Sequence, residues 1–419
     1  MTFDEACSIF EQRQVDRFDD SVDFLIDAAA TKISDETLGK LCVAVAASGD
    51  PLILPKAQGP YVDVPSTGGP ASLTTLLTPL LIAGQGTRVP KLSATGSIAG
   101  GIDTLELIPG FRSHLDKGAF LKALKDSGLA HVKPSDDFCP ADNHLIKARR
   151  ERDMMANPQL AVISLLAKKL AMPGTIAVFD FRVGRSGNIG ASLEAAIEAK
   201  ELFLRVANCV GLKIDVLLSD NRSFPSSALG RLESLSLLWR ILNNRSIISL
   251  DNDHVDFCVE LAARALNLVD SAVKDASELI IDALATGTSR RIFMEHISQQ
   301  GGNVAFLEKI DNYRNDSDLI SLKADRSGYW TPPDLFLAKE WIKREQRLID
   351  SSDFPQSEKI RQQMGLSLQV TPGAHVSRGA VVVEIRFPTG KSPHLVPEWL
   401  GGYISDIAPP ASRQIISQE

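Results

Sequence analysis

Two short stretches of this chain carry residues whose types and spacing suit chemistry. The first is "VDVPSTGGPASLTTLL", Val62 to Leu77. Tyr61-Val62-Asp63-Val64 reads as a strand, Ser66-Thr67-Gly68-Gly69 as a tight turn, and Ser72 to Ala83 as an apolar helix with Pro70 near its first turn. A strand that runs through glycines into a helix start aims backbone N–H groups and the positive end of the helix dipole at one point, which suits an anion. Hydroxyls of Ser66, Thr67, Ser72, Thr74 and Thr75 add donors. Phosphate sites usually also carry a cation, and none lies inside the stretch; the nearest are Lys56, Arg88 and Lys91. An ordinary capped helix satisfies the same pattern.

The second stretch is "ISLLAKKLA". Ser164 and Lys168 are four residues apart, so on a helix they share one face, while Lys169 points about 100° away. One lysine can therefore enter a cleft. Two lysines that complement a helix C-terminus are the plainer use of the same residues.

The elements that must hold these residues are legible in outline. Helical patterns run from Phe3 to Arg13, Ser21 to Ile33 and Ser34 to Ala47, the last with Ser34 as cap. Strand and helix alternate from Tyr61 to about Leu129, which implies parallel pairs in a sheet. Helix returns after Pro140, with Asn157-Pro158 as a start and Pro173-Gly174 as a stop. The buried-strand patterns "TIAVFDFRVG" and "LKIDVLLSD" flank a helix from about Ser192 to Val210. Short strands with Pro-Gly and Arg-Gly turns in "SLQVTPGAHVSRGAVVVEIRF" read as a small β-rich unit. The fold class is α/β, with an all-helical domain from 1–50 and 141–174, an α/β domain from 51–140 and 175–335, and a C-terminal α+β subdomain from 336–419.

Composition narrows the function classes. At 419 residues the chain can bury several cores, and a net charge of -7 argues against a general nucleic-acid binder. Cys7, Cys42, Cys139, Cys209 and Cys258 are odd in number and widely spaced, and the seven histidines show no H-x-x-x-H pair. No disulfide framework, metal site or cofactor is expected, and a reducing cytoplasm fits. No apolar run approaches the ~18 residues of a membrane span, so no membrane association is expected either.

Taken together, "DVPSTGGPASLTTLL", "PKLSATGSIAGGIDTLELIPGF", "ISLLAKKLA" and "VFDFRVG" occur in an order and at spacings that resemble the pyrimidine nucleoside phosphorylase family, which includes thymidine phosphorylase. Anthranilate phosphoribosyltransferases are the weaker match. The resemblance implies a homodimeric pentosyltransferase whose helical and α/β domains close over a pyrimidine nucleoside and inorganic phosphate. It implies that Arg149, Ser164 and Lys168 hold the base, with Arg149 and Lys168 catalytic through the charge they offer the leaving base. Ser66, Thr67, Gly68, Gly69, Thr75 and Ser93 would form the site for phosphate or another nucleophile. Arg149 lies in the charged run "KARRER", where a shift of one residue exchanges it for a neighbour.

The phosphate side departs from the family. Its first loop usually reads D-K-H-S-T-G-G, but here Val64 and Pro65 replace the lysine and histidine, Ile102 replaces a threonine, and Arg182 stands where lysine is usual. Losing one charge-assisted bond to phosphate costs roughly 1.5–3 kcal/mol. Three readings follow: phosphorolysis; hydrolysis by water, with Asp63 or Asp103 as the candidate base; and an inactive pyrimidine-binding relative. A nucleotide in place of a nucleoside would bring its own phosphate to Lys56, Arg88 or Lys91. The segment "ASGDPLILPKAQGPY" is too short for the additional helix that relatives carry before their hinge, so domain movement is expected to be reduced or differently pivoted.

Overall fold

The computed structural model describes all residues except 51, 71–72, 136, 173, 188, 272, 274, 316–317, 351–362, 389–395, 410–414 and 417–419. Helix signals near the N-terminus act where they stand. In α1 (Phe3–Glu11) the Thr2 hydroxyl accepts from the Glu5 N–H and the Glu5 carboxylate reaches back to the Thr2 N–H at 2.6 Å. Ser34 caps α3 (Asp35–Ala47) by accepting from Thr37, a bond of the kind worth about 1 kcal/mol. Between them, α2 (Phe18–Ala28) starts three residues before Ser21 and stops five before Ile33. Gln159 explains the early stop: its amide donates to the carbonyls of Ala29 and Thr31 and accepts from the Ile33 N–H, which satisfies backbone groups the helix leaves open.

Next come β1 (Tyr61–Asp63), α4 (Leu77–Ala83), β2 (Val89–Leu92), α5 (Gly101–Leu105), α6 (Lys117–Ser127), β3 (Leu129–Val132), α7 (Pro140–Glu151) and α8 (Pro158–Leu170). They are followed by β4 (Thr175–Val183), α9 (Leu193–Cys209), β5 (Ile214–Asp220), α10 (Arg231–Leu242) and α11 (Ser249–Val269). The strands pair in parallel, β1 with β4 from Tyr61 opposite Thr175, β4 with β5 from Ala177 opposite Ile214, and β2 with β3 from Val89 opposite Leu129. A parallel bridge between Tyr61 and Arg88 joins the two groups, so the order across the sheet is β3-β2-β1-β4-β5.

The expected helix from Ser72 needs correction. Ser72 lies outside the described residues, and α4 begins only at Leu77. Three side-chain contacts hold the intervening segment as a turn: His254 Nε2 accepts the Leu73 N–H at 2.9 Å, the Thr74 hydroxyl donates to Asp180, and Arg182 donates to Thr74. The dipole of a helix starting at Leu77 acts eight residues beyond Gly69, and dipole effects fade within the first turn.

Helices α1–α3, α7 and α8 pack on one another, and their core continues into Phe179 and Phe181 of β4 and Phe203 of α9. A second core on the other side of the sheet joins α4, α10 and α11. A third gathers the C-terminal strands. Their four-stranded sheet takes Ala228–Leu229 and Asp318–Lys323 beside Gly365–Leu368 and Val381–Phe387, so the β-rich unit draws on residues ahead of the expected boundary at 336. Buried Arg386 donates to Glu233 of α10 at 2.6 and 3.1 Å and fastens this unit to the α/β part.

Phe203 meets Phe181 edge-on at 4.8 Å and Phe179 at 5.7 Å, in the seam shared by helices and sheet. Phe203→Ala should destabilise the protein by about 3–5 kcal/mol. Chemical denaturation checks this, and a loss below about 1 kcal/mol would mean that the seam is not a continuous core.

Candidate active site

The glycine turn closes on β4. Ser66 bridges to Asp180, the Thr67 N–H donates to the Asp180 carbonyl at 3.0 Å, and the Thr67 hydroxyl accepts from the Arg182 N–H at 2.9 Å. Gly68 and Gly69 sit at φ 86° and 118°, a region that side chains strain to enter. Beneath them the Asp180 carboxylate accepts from Ser219 at 2.5 Å and from Thr74 and Arg182 at 2.8 Å. Arg182 also donates to the Gly69 carbonyl at 3.1 Å. Arg182 thus braces the turn, and the Thr67 hydroxyl serves the backbone.

Asp63 at the end of β1 is fully buried and receives two ammonium groups. Lys91 of β2 binds it at 2.8 Å, and Lys169 of α8 binds its other oxygen. Burial alone would raise the Asp63 carboxyl, but Lys169 and Lys91 outweigh it and hold the group down at about 2. A carboxylate so stabilised is a poor proton acceptor. Asp103, the other candidate base, accepts N–H groups of Gly96 and Ser97 and fixes that loop, with Arg231 at 3.7 Å. Its burial raises its carboxyl despite these partners.

Lys91 also donates to the Val64 carbonyl at 2.9 Å, which brings an ammonium group to the backbone of the position that resemblance marks for a lysine. Ile102 is fully buried. Of the outlying cations, Arg88 donates to the Gln58 carbonyl and Lys56 is exposed on a separate hydrophobic cavity with Ile53, Leu54 and Tyr61.

Thr75 and Ser93 meet at a residue that sequence reasoning passed over. His131 of β3 is 2% exposed, and its Nε2 lies 2.8 Å from Ser93 Oγ. A Cβ built on Gly101 would fall 2.7 Å from Thr75 Oγ1 and 3.3 Å from His131 Cε1, so both side chains converge on that glycine. Burial, with Lys91 beside it, holds the imidazole well below its usual value and therefore neutral.

Across α8 lies the second group. Lys168 is 3% exposed, bound to Asp142 of α7 at 2.6 Å and to Ser164 at 2.9 Å. Arg149, seven residues after Asp142 on α7, turns inward and donates to the Met155 carbonyl at 2.6 Å. Burial draws Arg149 down to about 10 although Asp142 works the other way. Asp142 Oδ1 and Arg149 Nε are buried without a hydrogen-bond partner among the described residues. Lys168 and Lys169 leave α8 in different directions, as their spacing requires. Neither reaches bulk solvent: Lys168 and Lys169 are as buried as core residues.

A cavity of about 530 Å³ opens between α7 and the Ser93–Gly101 loop, lined by Ala94, Thr95, Lys133, Ile146, Lys147 and Arg150 among others. Arg149, Ser164 and Lys168 do not line it; Arg150 does, and it donates to the Thr95 carbonyl. Among the described residues, no helix is long and apolar enough to cross a membrane, and no group of three or more His, Cys, Asp or Glu is placed to hold a metal.

This fold of parallel strands and a helical bundle is that of the anthranilate phosphoribosyltransferase of Thermus thermophilus, with a TM-score of 0.53 at 16% identity over 74% of this chain and 96% of that one. In sequence the chain is similar to the pyrimidine-nucleoside phosphorylase of Staphylococcus epidermidis, 26% identical over 361 residues that cover 85% of this chain and 81% of the relative. The Staphylococcus aureus enzyme of the same name is 28% identical over 303 residues, 71% of this chain and 69% of that one. No model of a known protein family matches the chain.

Lys168→Ala should destabilise the fold by about 3–5 kcal/mol by leaving Asp142 charged and unpaired, and Asp142→Leu combined with Lys168→Met should cost far less than the two single changes together. Denaturant titration decides it. Because the Asp63 carboxyl is depressed, the stability it confers is complete above about pH 4 and is lost only as pH falls towards 2. Acid unfolding followed by circular dichroism should show this limb, and Asp63→Asn should remove it.

Proposed function

We propose that this protein cleaves the N-glycosidic bond of a pyrimidine nucleoside by phosphorolysis, giving free base and a pentose 1-phosphate. One observation carries the reading: two buried groups flank α8, and each holds more cations than carboxylates. Lys168 and Arg149 face Asp142 alone on one side; Lys91, Lys169 and Arg182 share Asp63 and Asp180 on the other. Phosphorolysis develops negative charge at two places, the departing base and the attacking phosphate. Fixed cations in a dry site favour such charge.

On the base side, Asp142 Oδ1 and Arg149 Nε offer one acceptor and one donor that lack partners among the described residues, a pattern that suits the alternating N–H and carbonyl edge of a pyrimidine. The 530 Å³ cavity is lined by Ile146 and Arg150 of α7, the helix that carries Asp142 and Arg149, which supports an approach from that side. The names of the relatives support the same substrate class. Hydrolysis gains no support from the candidate bases, since Asp63 is locked between two lysines and Asp103 holds a loop.

Purified protein incubated with pyrimidine nucleosides and nucleotides, with and without phosphate, should release base only when phosphate is present. Release that ignores phosphate would move the assignment to a hydrolase, and absence of turnover across the panel would favour a binding protein.

A further inference from the structure

We infer that His131 is a positioning residue of an oxyanion site: its Nε2–H donates to Ser93 Oγ and so frees the Ser93 hydroxyl proton for inorganic phosphate. The identity of the anion rests on the phosphorolysis reading; the geometry does not. Three features of the molecule carry the inference.

The first is charge. Lys91, Lys169 and Arg182 are tied by ion pairs to Asp63 and Asp180, and none of the five side chains is more than 4% exposed. Three cationic side chains against two carboxylates leave these buried residues one counter-charge short, and burial, with Lys169 beside it, draws Lys91 below its usual value despite Asp63. An anion at the neighbouring loop restores the balance.

The second is convergence. Lys91 stands under the Val64 carbonyl and beside His131, and Ser93 and Thr75 surround the same imidazole at Gly101. Gly101 has no side chain to fill this space, and a methyl group there would press on the Thr75 hydroxyl.

The third is the direction of a proton. The 2.8 Å contact between His131 Nε2 and Ser93 Oγ admits two arrangements. If Nε2 accepted, the serine would spend its proton on the ring and could offer an oxyanion nothing. If Nε2–H donates, the serine hydroxyl is free to donate onwards. Burial, with Lys91 beside it, keeps the ring neutral, so it carries a single N–H, and in the inferred arrangement that N–H is on Nε2. The imidazole and ammonium that Pro65 and Val64 cannot supply are in this way provided by β3 and β2.

The test titrates inorganic phosphate into the full-length protein by calorimetry at constant ionic strength. Wild type should bind. Ser93→Ala and His131→Leu should each weaken binding about tenfold, the double variant should be no weaker than either alone, and His131→Gln, which keeps an amide N–H near the Nε2 position, should stay within about threefold of wild type. Nitrogen-15 shifts of the wild-type imidazole, assigned by its loss in His131→Gln, should report a protonated Nε2 and need no variant to bind. A wild type that binds no phosphate, losses that simply add in the double variant, or a protonated Nδ1 with bare Nε2 would each overturn the inference. The two readings fail separately. Phosphate binding with this pattern but no cleavage of any pyrimidine nucleoside sinks the proposed reaction alone, and phosphate-dependent cleavage without the pattern sinks the role of His131 alone.

Discussion

The Asp63 carboxylate, closed between Lys91 and Lys169, is the contact on which the rest of the site depends. It joins β1 to β2 within the sheet and β1 to α8 in the helical bundle. Because neighbouring residues on a helix diverge by about 100°, anchoring Lys169 on Asp63 sends Lys168 toward α7, where Asp142 receives it, with Ser164 one turn back on α8 as its second partner. One ion pair thereby fixes the rotation of α8 and divides the charged residues into two groups. Such pairs are poor sources of net stability, since the loss of hydration offsets most of the Coulomb gain. What this one supplies is register.

The same contact explains how an anion-type loop persists without its own cation. The glycine turn keeps its backbone geometry through Thr67 and Asp180, but Leu73 and Thr74 are drawn to His254 and to the Asp180–Arg182 pair, which delays α4 to Leu77. Backbone dipoles therefore contribute less than the sequence suggests. Side-chain charge takes their place, carried by Lys91 and Arg182 on the strands beneath the turn.

The sequence made local order legible and long-range pairing illegible. Caps at Ser34, Asn157 and Ser192 act through neighbours two or three residues away, and the four-residue step from Ser164 to Lys168 is geometry internal to one helix. Asp63 meets Lys169 across 106 positions and Lys91 across 28, and nothing in "VPKL" or "LAHV" marks a lysine or histidine that will be buried rather than exposed. Asp142 was overlooked for the same reason: in "PADNHL" it resembles a first-turn acid, and only the packing of α7 on α8 turns it into a partner for Lys168. The start of α4 was misplaced because Pro70 and the hydroxyl run fit a helix start, while the forces that bend the segment come from β4 and α11.

These constraints also bear on movement. Residues between α3 and β1 form a short connection whose Leu52 N–H donates to the Ala171 carbonyl at the end of α8, and the bundle shares its core with β4 and α9. A hinge that swung the bundle as an independent body would have to expose Phe179, Phe181 and Phe203 and pull Lys169 from Asp63, a cost of several kcal/mol before any ligand contact repays it. Ligand entry is more economical along the side where α7 faces the Ser93–Gly101 loop, since there the contacts are Arg150 with Thr95 and a cavity already open to about 530 Å³. Opening at that edge would admit a ligand beside α7 while α8 stays locked to the sheet, so the cations on its two sides would keep a fixed separation as it enters.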